Sequence, residues 1–472
     1  MLRILLFCIT LFIHWIGFAQ TEEKVPLSLN ECIKIALENN LDLKSSVLSA
    51  ETSEVLFKQT RSDVLPKLNG NYNLGVTNGR SIDPFSNDYI DQQLTFSNAG
   101  LNLNAVVFNG FRLMNSVRRD RFNLKASEME INEARQNLIL NVTLAYLQIL
   151  NNQDLVELAR LRLITTERQT ERLEVLYNEG EGNPADYPDI KGQYANDEAS
   201  VIDAKNNLRN SVLSLAQLLN VDYDIVPEGL NTLTEFEDYD LTANQVYQEA
   251  LENLATFKAK EFRIEAAKKD VNVSKSFYIP EVSVFAQLNT NYSSAAQLFT
   301  ENGSEFVESG GFITIDGEDI PVISNEIQYA GDEISYSDQF SNNLSSAVGV
   351  EVAIPLFNGF RAKNNVSLQR IKLEESIVDF ENTKSQFKQA IKQAHSDMES
   401  ALQRYEVLQN QVSAFEDSFR VNEIRFNNGV SNIVAYIISK NNLDNARINL
   451  SNAKYEYLLR VKVLEYYRGN SI

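Results

Sequence analysis

The sequence predicts a mainly α-helical chain with a small β portion suited to a membrane, the whole plan written twice. Three observations predict it: a repeated order of elements, two very long stretches free of helix breakers, and pairs of alternating segments just before those stretches. The first residues are a separate object. In residues 1–19, Arg3 precedes an apolar run that ends at Gly17-Phe18-Ala19, the layout of a secretory signal peptide cut after Ala19. Gln20 follows, so no lipid-bearing cysteine is expected there. No later stretch strings together about eighteen uncharged apolar residues, so no transmembrane helix is expected.

The repeat is read directly. Leu27-Ser28-Leu29-Asn30 through Ala36-Leu37-Glu38-Asn39 matches Leu241-Thr242-Ala243-Asn244 through Ala250-Leu251-Glu252-Asn253, and Pro66 and Pro280 keep the same offset. Phe108-Asn109-Gly110-Phe111-Arg112 matches Phe357-Asn358-Gly359-Phe360-Arg361 at a larger offset, which Tyr177 with Phe426, Gly180 with Gly429 and Tyr187 with Tyr436 then hold constant. One constant register over so many positions is not expected by chance. Residues 20–220 form the first repeat, 221–240 an acidic linker with Pro227 and Gly229, and 241–472 the second repeat, whose extra length lies between Pro280 and Phe357.

Each repeat begins with a helix. The first, about Ser28 to Arg61, opens with Ser28 and, three residues on, Glu31, a capping-box pattern; its partner runs from about Thr242 to Ser276. A strand pair follows. Leu68, Tyr72 and Leu74 alternate with Asn69, Asn71 and Asn73, and Leu101 and Leu103 alternate with Asn102 and Asn104. In the second repeat Val282, Val284, Ala286 and Leu288, then Val348, Val350 and Val352, hold the apolar places. One apolar and one polar face suits lipid on one side and water on the other. It equally suits a half-buried soluble sheet. Four strands cannot close a barrel, and lipid does not tolerate an open edge. A membrane sheet therefore needs several chains, and three would supply twelve strands. Between the strands, Val76 to Gly100 carries turn pairs at Asn78-Gly79, Asp83-Pro84 and Asn87-Asp88. The second connection, about 292–343, is longer and acidic, and Ser276 to Phe360 holds no Lys or Arg. It reads as a solvated surface loop, with a divalent-cation or partner-binding role as the other reading.

The long elements set the architecture. Neither Gly nor Pro occurs from Arg112 to Glu179 or from Arg361 to Asn428, and a helix of either length measures roughly 100 Å. Ile391, Ala394, Met398, Ala401, Tyr405, Leu408, Val412, Phe415 and Phe419 recur at steps of three and four, as do Leu138, Val142, Ala145 and Ile149. That is coiled-coil spacing. Glycine-bearing turns lead to last helices at about Tyr187 to Leu219 and Ile433 to Tyr467.

Little in the chain suggests catalysis. Only Cys8, Cys32, His14 and His395 are available for thiol or imidazole chemistry, and no phosphate loop, HExxH or GxSxG pattern occurs. His395 and Cys32 read as packing residues. No cofactor or metal is expected. A net charge of −21 argues against nucleic acid as a partner.

Leu356-Phe357-Asn358-Gly359-Phe360-Arg361, Arg425-Phe426-Asn427-Asn428-Gly429-Val430-Ser431-Asn432-Ile433 and their first-half counterparts, in this order and duplicated, resemble the TolC-like outer membrane efflux protein family over about Leu27 to Tyr467. The resemblance implies a homotrimer with a twelve-stranded barrel in the outer membrane of a Gram-negative cell and a long periplasmic coiled-coil α-barrel. The linker and the C-terminal end would add to a mixed belt around it. It implies no enzyme, but the exit duct of a tripartite pump that takes small molecules from an inner membrane pump and a periplasmic adaptor. The alternatives are an exported trimeric coiled coil with a structural or adhesive role, a type I secretion duct, or a general porin. The resemblance places adaptor docking at the tips, Gly180, Gly182, Asn183, Gly429, Ser431 and Asn432. It places the barrel-to-helix junctions at Asn109, Gly110, Phe111, Asn358, Gly359 and Phe360. The family's inward aspartates past the second hairpin are replaced here by Ala435 and Ile438. Their first-half equivalents, Asp186 and Asp189, are the expected constriction acids, with Tyr436 and Ile438 beside them.

Overall fold

The structure is a computed structural model that describes residues 25–82, 87, 89–91, 93–222, 225–227 and 239–469. The expected signal peptide, most of the 221–240 linker, and Asp83, Pro84 and Asp88 of the first connection lie outside the described residues.

The first repeat runs β1 Val25–Leu27, α1 Leu29–Asn39, α2 Leu41–Ser62, β2 Lys67–Thr77, β3 Arg80–Ile82, β4 Tyr89–Asp91, β5 Leu94–Phe108, α3 Arg112–Asn178 and α4 Asp186–Leu219. After β6 Ile225–Pro227 the plan recurs as α5 Ala243–Asn253, α6 Ala255–Lys275, β7 Glu281–Ser293, β8 Gln297–Ile315, β9 Glu318–Glu333, α7 Tyr336–Asn342, β10 Ser345–Ala353, α8 Arg361–Asn427 and α9 Ile433–Arg468. Both rods, α3 and α8, are 67 residues long. Among the described residues no helix is long and apolar enough to cross a membrane.

Two expectations are corrected. The opening helix of each repeat is broken in two. Asn40 takes an extended backbone, its side-chain Oδ1 accepts from Leu43 N at 3.0 Å, and its Nδ2 donates to Leu218 O at 3.1 Å, so one residue ends α1, caps α2 and reaches α4. In the second repeat the break is at Leu254, which is also extended and fully buried. The acidic connection is no loop: β8 and β9 form one long antiparallel hairpin, followed by the short helix α7. The capping box read at Ser28 is present, Ser28 N donating to Glu31 Oε2 at 2.8 Å, and the structure adds a second, Thr242 N donating to Gln245 Oε1 at 2.9 Å.

The chain divides into two compact units that cut across the repeats, each repeat contributing to both. The first unit spans residues 1–55, 121–267 and 372–472, and its described residues are helical apart from the short parallel pair β1–β6. Its core has three clusters. One joins α1 to α3 and α4 around Cys32, Val142, Tyr146 and Leu215. A second joins α5 and α6 to α8 and α9 around Val246, Phe257, Ile391 and Leu464. The third joins all four long helices near their turns, around Leu173, Ile190, Phe426 and Tyr436. Ile391, Ala394, Met398 and Ala401 of the seam are buried, and Tyr405, Leu408, Val412, Phe415 and Phe419 are half-buried while their helical neighbours are mostly exposed.

The second unit, residues 56–120 and 268–371, holds a four-stranded antiparallel sheet in the order β10-β7-β5-β2. The register pairs Tyr72 with Ala99 and Ala99 with Thr290, and Val350 with Val284, so the apolar residues share one face. Leu68, Leu74, Val348 and Val350 on that face are 66%, 65%, 83% and 64% exposed. On the other face Asn rows dominate, and Phe96 and Phe285 lie over Gly75 and Gly349, where a Cβ would meet a ring atom at 2.6 Å. Among the described residues, β10 and β2 each have no neighbour on their outer edge.

Candidate functional site

Each Asn-Gly-Phe junction turns a strand segment into a rod by the same backbone device. Gly110 and Phe111 both lie in the left-handed region (φ 63° and 62°), as do Gly359 and Phe360 (63° each). Arg112 N then returns to Asn109 O at 3.1 Å, and Arg361 N to Asn358 O at 3.2 Å. Phe108 and Phe111 meet edge to face at 5.5 Å, and Phe357 and Phe360 at 5.6 Å. Arg112 also donates to Glu281 at 2.6 Å, which ties the first junction to the start of β7.

The two helical turns form the second site. At the end of α3, Glu181 N donates to Leu176 O at 2.8 Å, with Gly180 and Gly182 at positive φ. At the end of α8, Val430 N donates to Arg425 O at 2.8 Å, with Gly429 at positive φ. Both are helix stops that leave a left-handed residue just past the last turn. The next helices are capped differently. Asn432 accepts from Ala435 N at 2.9 Å, whereas Asn183 Oδ1 accepts from Ala185 N and its Nδ2 donates to Asp186 at 3.0 Å. Arg172 reaches from α3 to both oxygens of Asn427 and so bridges the two turns. Between them lies a cleft of about 530 Å³ lined by Tyr177, Glu181, Asp186, Phe426, Val430 and Ser431, among others.

The constriction candidates separate here. Asp186 is half-buried in the cleft wall and Asp189 is exposed one turn along, both in the first turn of α4, where the helix dipole favours acids. Partial burial, opposed by the Asn183 hydrogen bond and aided by the nearby Asp189 charge, lifts the Asp186 carboxyl above the usual range. Ile438 is exposed at 55%. Tyr436 departs from expectation: at 1% exposure it packs on Phe419 and Phe426, with ring centroids 5.5 and 5.2 Å away. A buried ring cannot line a water column, so Tyr436 leaves the constriction set. His395 is a contact residue whose Nε2 lies 2.9 Å from Leu241 O.

Sequence reasoning missed a buried ionic network behind the turns. Asp197 of α4 is fully buried and accepts from Arg162 Nε (2.6 Å), Gln193 Nε2 (2.8 Å), Lys440 Nζ (2.9 Å) and the Thr166 hydroxyl. Lys440 of α9 also donates to Asp444 at 2.8 Å, and Arg162 to Asn441 at 3.1 Å. Two cations and two anions thus join α3, α4 and α9 with every charge partnered. The available signal was Lys440 between Tyr436 and Leu443, at steps of four and three on an otherwise buried stripe.

A sheet with one exposed apolar face, joined to long helical rods through paired Asn-Gly-Phe turns, defines a class: membrane transport chains. A profile of the family described as Outer membrane efflux protein matches residues 32–221 and again 246–470, one match in each repeat, and the chain belongs to that family. Similar proteins include the outer membrane protein TolC of Escherichia coli K12 (22% identical over 434 residues, 89% of this chain and 78% of that one) and the cation efflux system protein CusC of E. coli O157:H7 (22%, covering 79% and 72%). Among solved structures, a CusC structure superposes with a TM-score of 0.76 at 16% identity, covering 95% of this chain and 93% of that one. The Campylobacter jejuni CmeC outer membrane channel does so at 0.74 and 17%, covering 93% and 85%. The chain is therefore an outer membrane transport channel of a Gram-negative cell, in a family that works without catalysis.

Proposed function

We propose that the chain is one third of the exit duct of a tripartite efflux pump, passing small molecules from an inner membrane pump and a periplasmic adaptor to the exterior. The observation that carries this reading is the four-stranded sheet with an exposed apolar face and both edges open. Unpaired backbone groups are not tolerated in lipid, so the edges call for more copies, and three copies make a barrel of twelve strands. The junctions hand each strand pair to rods of roughly 100 Å, enough to cross the periplasm as an α-barrel. The turns at Gly180 and Gly429, with Gly182, Asn183, Ser431 and Asn432, form the end offered to an adaptor. Asp186 and Asp189, with Ile438 near them, stand at the constriction, where three copies of an acid favour cations. Energy comes from the pump, so the duct needs only a wet bore, a lipid seal and a gate. The test is the mass of the detergent-extracted protein together with its current in a planar bilayer. A trimer that conducts supports the reading; a monomer without conductance overturns it.

A further inference from the structure

The helix α7 rests on the apolar face of the sheet. Gln339, 1% exposed, donates to Ser293 O and Ile334 O and accepts from Ser293 N. Asn343 donates to Asn291 O at 2.9 Å, and the Thr290 hydroxyl to Phe340 O at 2.7 Å. From this anchorage Tyr336 reaches across three strands. Its ring lies 4.9 Å from Tyr292 and 4.4 Å from Phe340, and its hydroxyl lies 3.1 Å from Ser97 Oγ and 3.3 Å from the Tyr72 hydroxyl. Beside the helix the face dips into a groove of about 490 Å³. Gly70, Ala99, Leu101, Leu288, Phe340 and Leu344 are among its lining residues, and no lining residue carries a charge.

We propose that this groove seats one hydrocarbon chain of a membrane lipid, with α7 and the tyrosines gathered at Tyr336 lying at the level of the headgroups. The inference rests on the proposed duct, which turns this face toward lipid. Three features choose the occupant. The lining is mainly apolar, and its polar side chains are committed elsewhere: the Thr290 hydroxyl donates to Phe340 O, the Tyr72 hydroxyl meets that of Tyr336, and the Asn71 and Asn289 amides lie by Gly100 on the opposite face. The tyrosine hydroxyls gather by α7, as side chains with an apolar body and a polar tip do at a membrane boundary. A second copy of the chain joins at the edges, along the hydrogen-bonding direction in the sheet plane. Such a copy leaves the groove, which opens perpendicular to that plane, uncovered. The dip exists because Gly70 and Ala99 are small where their neighbours Tyr72 and Leu101 are large; a Cβ on Gly70 would already lie 3.2 Å from Leu101.

The experiment is native mass spectrometry of the assembled protein released from nanodiscs of phosphatidylethanolamine and phosphatidylglycerol. The expected result is retained phospholipid at up to one molecule per chain. Ala99→Phe fills the groove and lowers retention about tenfold, the factor that uncovering roughly two methylenes brings. Val350→Phe, on the same face but outside the groove, leaves retention unchanged. If Ala99→Phe does not assemble, Leu344→Glu gives the same readout from a residue outside the strands. Conducting trimers that retain no phospholipid, or retain it equally after Ala99→Phe, overturn the groove and leave the duct intact. A chain that forms no conducting assembly overturns the duct and this inference with it.

Discussion

Lys440 shows what a single charge does inside a helical packing. Burying an ammonium costs several kcal/mol unless it is paired, and here Asp197 and Asp444 pair it while Arg162 balances the set. Lys440→Met leaves Asp197, fully buried, short of one partner. The expected cost is ~3–5 kcal/mol, read from denaturant unfolding followed by circular dichroism. Lys440→Met with Asp197→Leu recovers much of it, because Arg162 and Asp444 remain as a pair. Cys32 tests burial in another way. Desolvation, with the charge of Glu31 beside it, pushes its thiol up to about 12. A maleimide at pH 8 therefore leaves it unlabelled in the folded protein and labels it in urea; rapid labelling of the native state would contradict the buried position. Asp186 moves less, but in a useful direction. Its raised pKa means that the native state takes up a proton more readily than the unfolded chain. The group thus favours the fold as pH falls through its titration and loses that contribution as pH rises. Cation selectivity of the current should weaken on acidification before the usual aspartate range near 3.9 is reached. Asp186→Asn should lower selectivity at neutral pH and flatten that dependence.

At the scale of elements, the two junctions share a sequence and a backbone but not their surroundings. A Cβ at Gly359 meets nothing within 4 Å, so Gly359→Ala costs only the left-handed strain, about 1–2 kcal/mol. A Cβ at Gly110 would lie 2.8 Å from the Cβ of Ile279, so Gly110→Ala carries a clash as well. Thermal melts of the two variants should rank Gly110→Ala as the more damaging, and equal shifts would mean that Ile279 yields freely. The broken opening helices teach a related lesson. Propensity runs unbroken from Ser28 to Arg61, yet Asn40 leaves the helix because its amide serves α2 and α4 at once. In the second repeat Leu254 makes the same break with an apolar side chain sunk in the core. The turns behave oppositely: glycine past each rod and Asn432 before α9 act within a few residues, so their place was visible in the sequence.

At the scale of the whole molecule, charge is the readable property. The chain carries 64 acidic against 43 basic side chains, and Ser276 to Phe360 contains no base. An assembled duct should therefore prefer cations, seen as a reversal potential in a KCl gradient. That preference should shrink in about 1 M salt, where the Debye length falls to roughly 3 Å. A salt-independent or anion-selective current would place the acids away from the conducting path.

The repeat, the rods, their seam, the first capping box and the two-faced strands were legible in the sequence because each is a local period or a local hydrogen bond, carried by neighbours three, four or two residues apart. Tertiary structure alone decided the rest. Asp197 and Lys440 meet from opposite halves of the chain, and Tyr436 is drawn into a core made by four helices. The acidic hairpin closes locally at Asp316-Gly317, a turn pair present in the sequence, but α7 lies on the apolar face only because Gln339 and Asn343 find backbone on β7. Such contacts carry no periodic signature: which side chain is buried depends on what the fold brings to it from elsewhere.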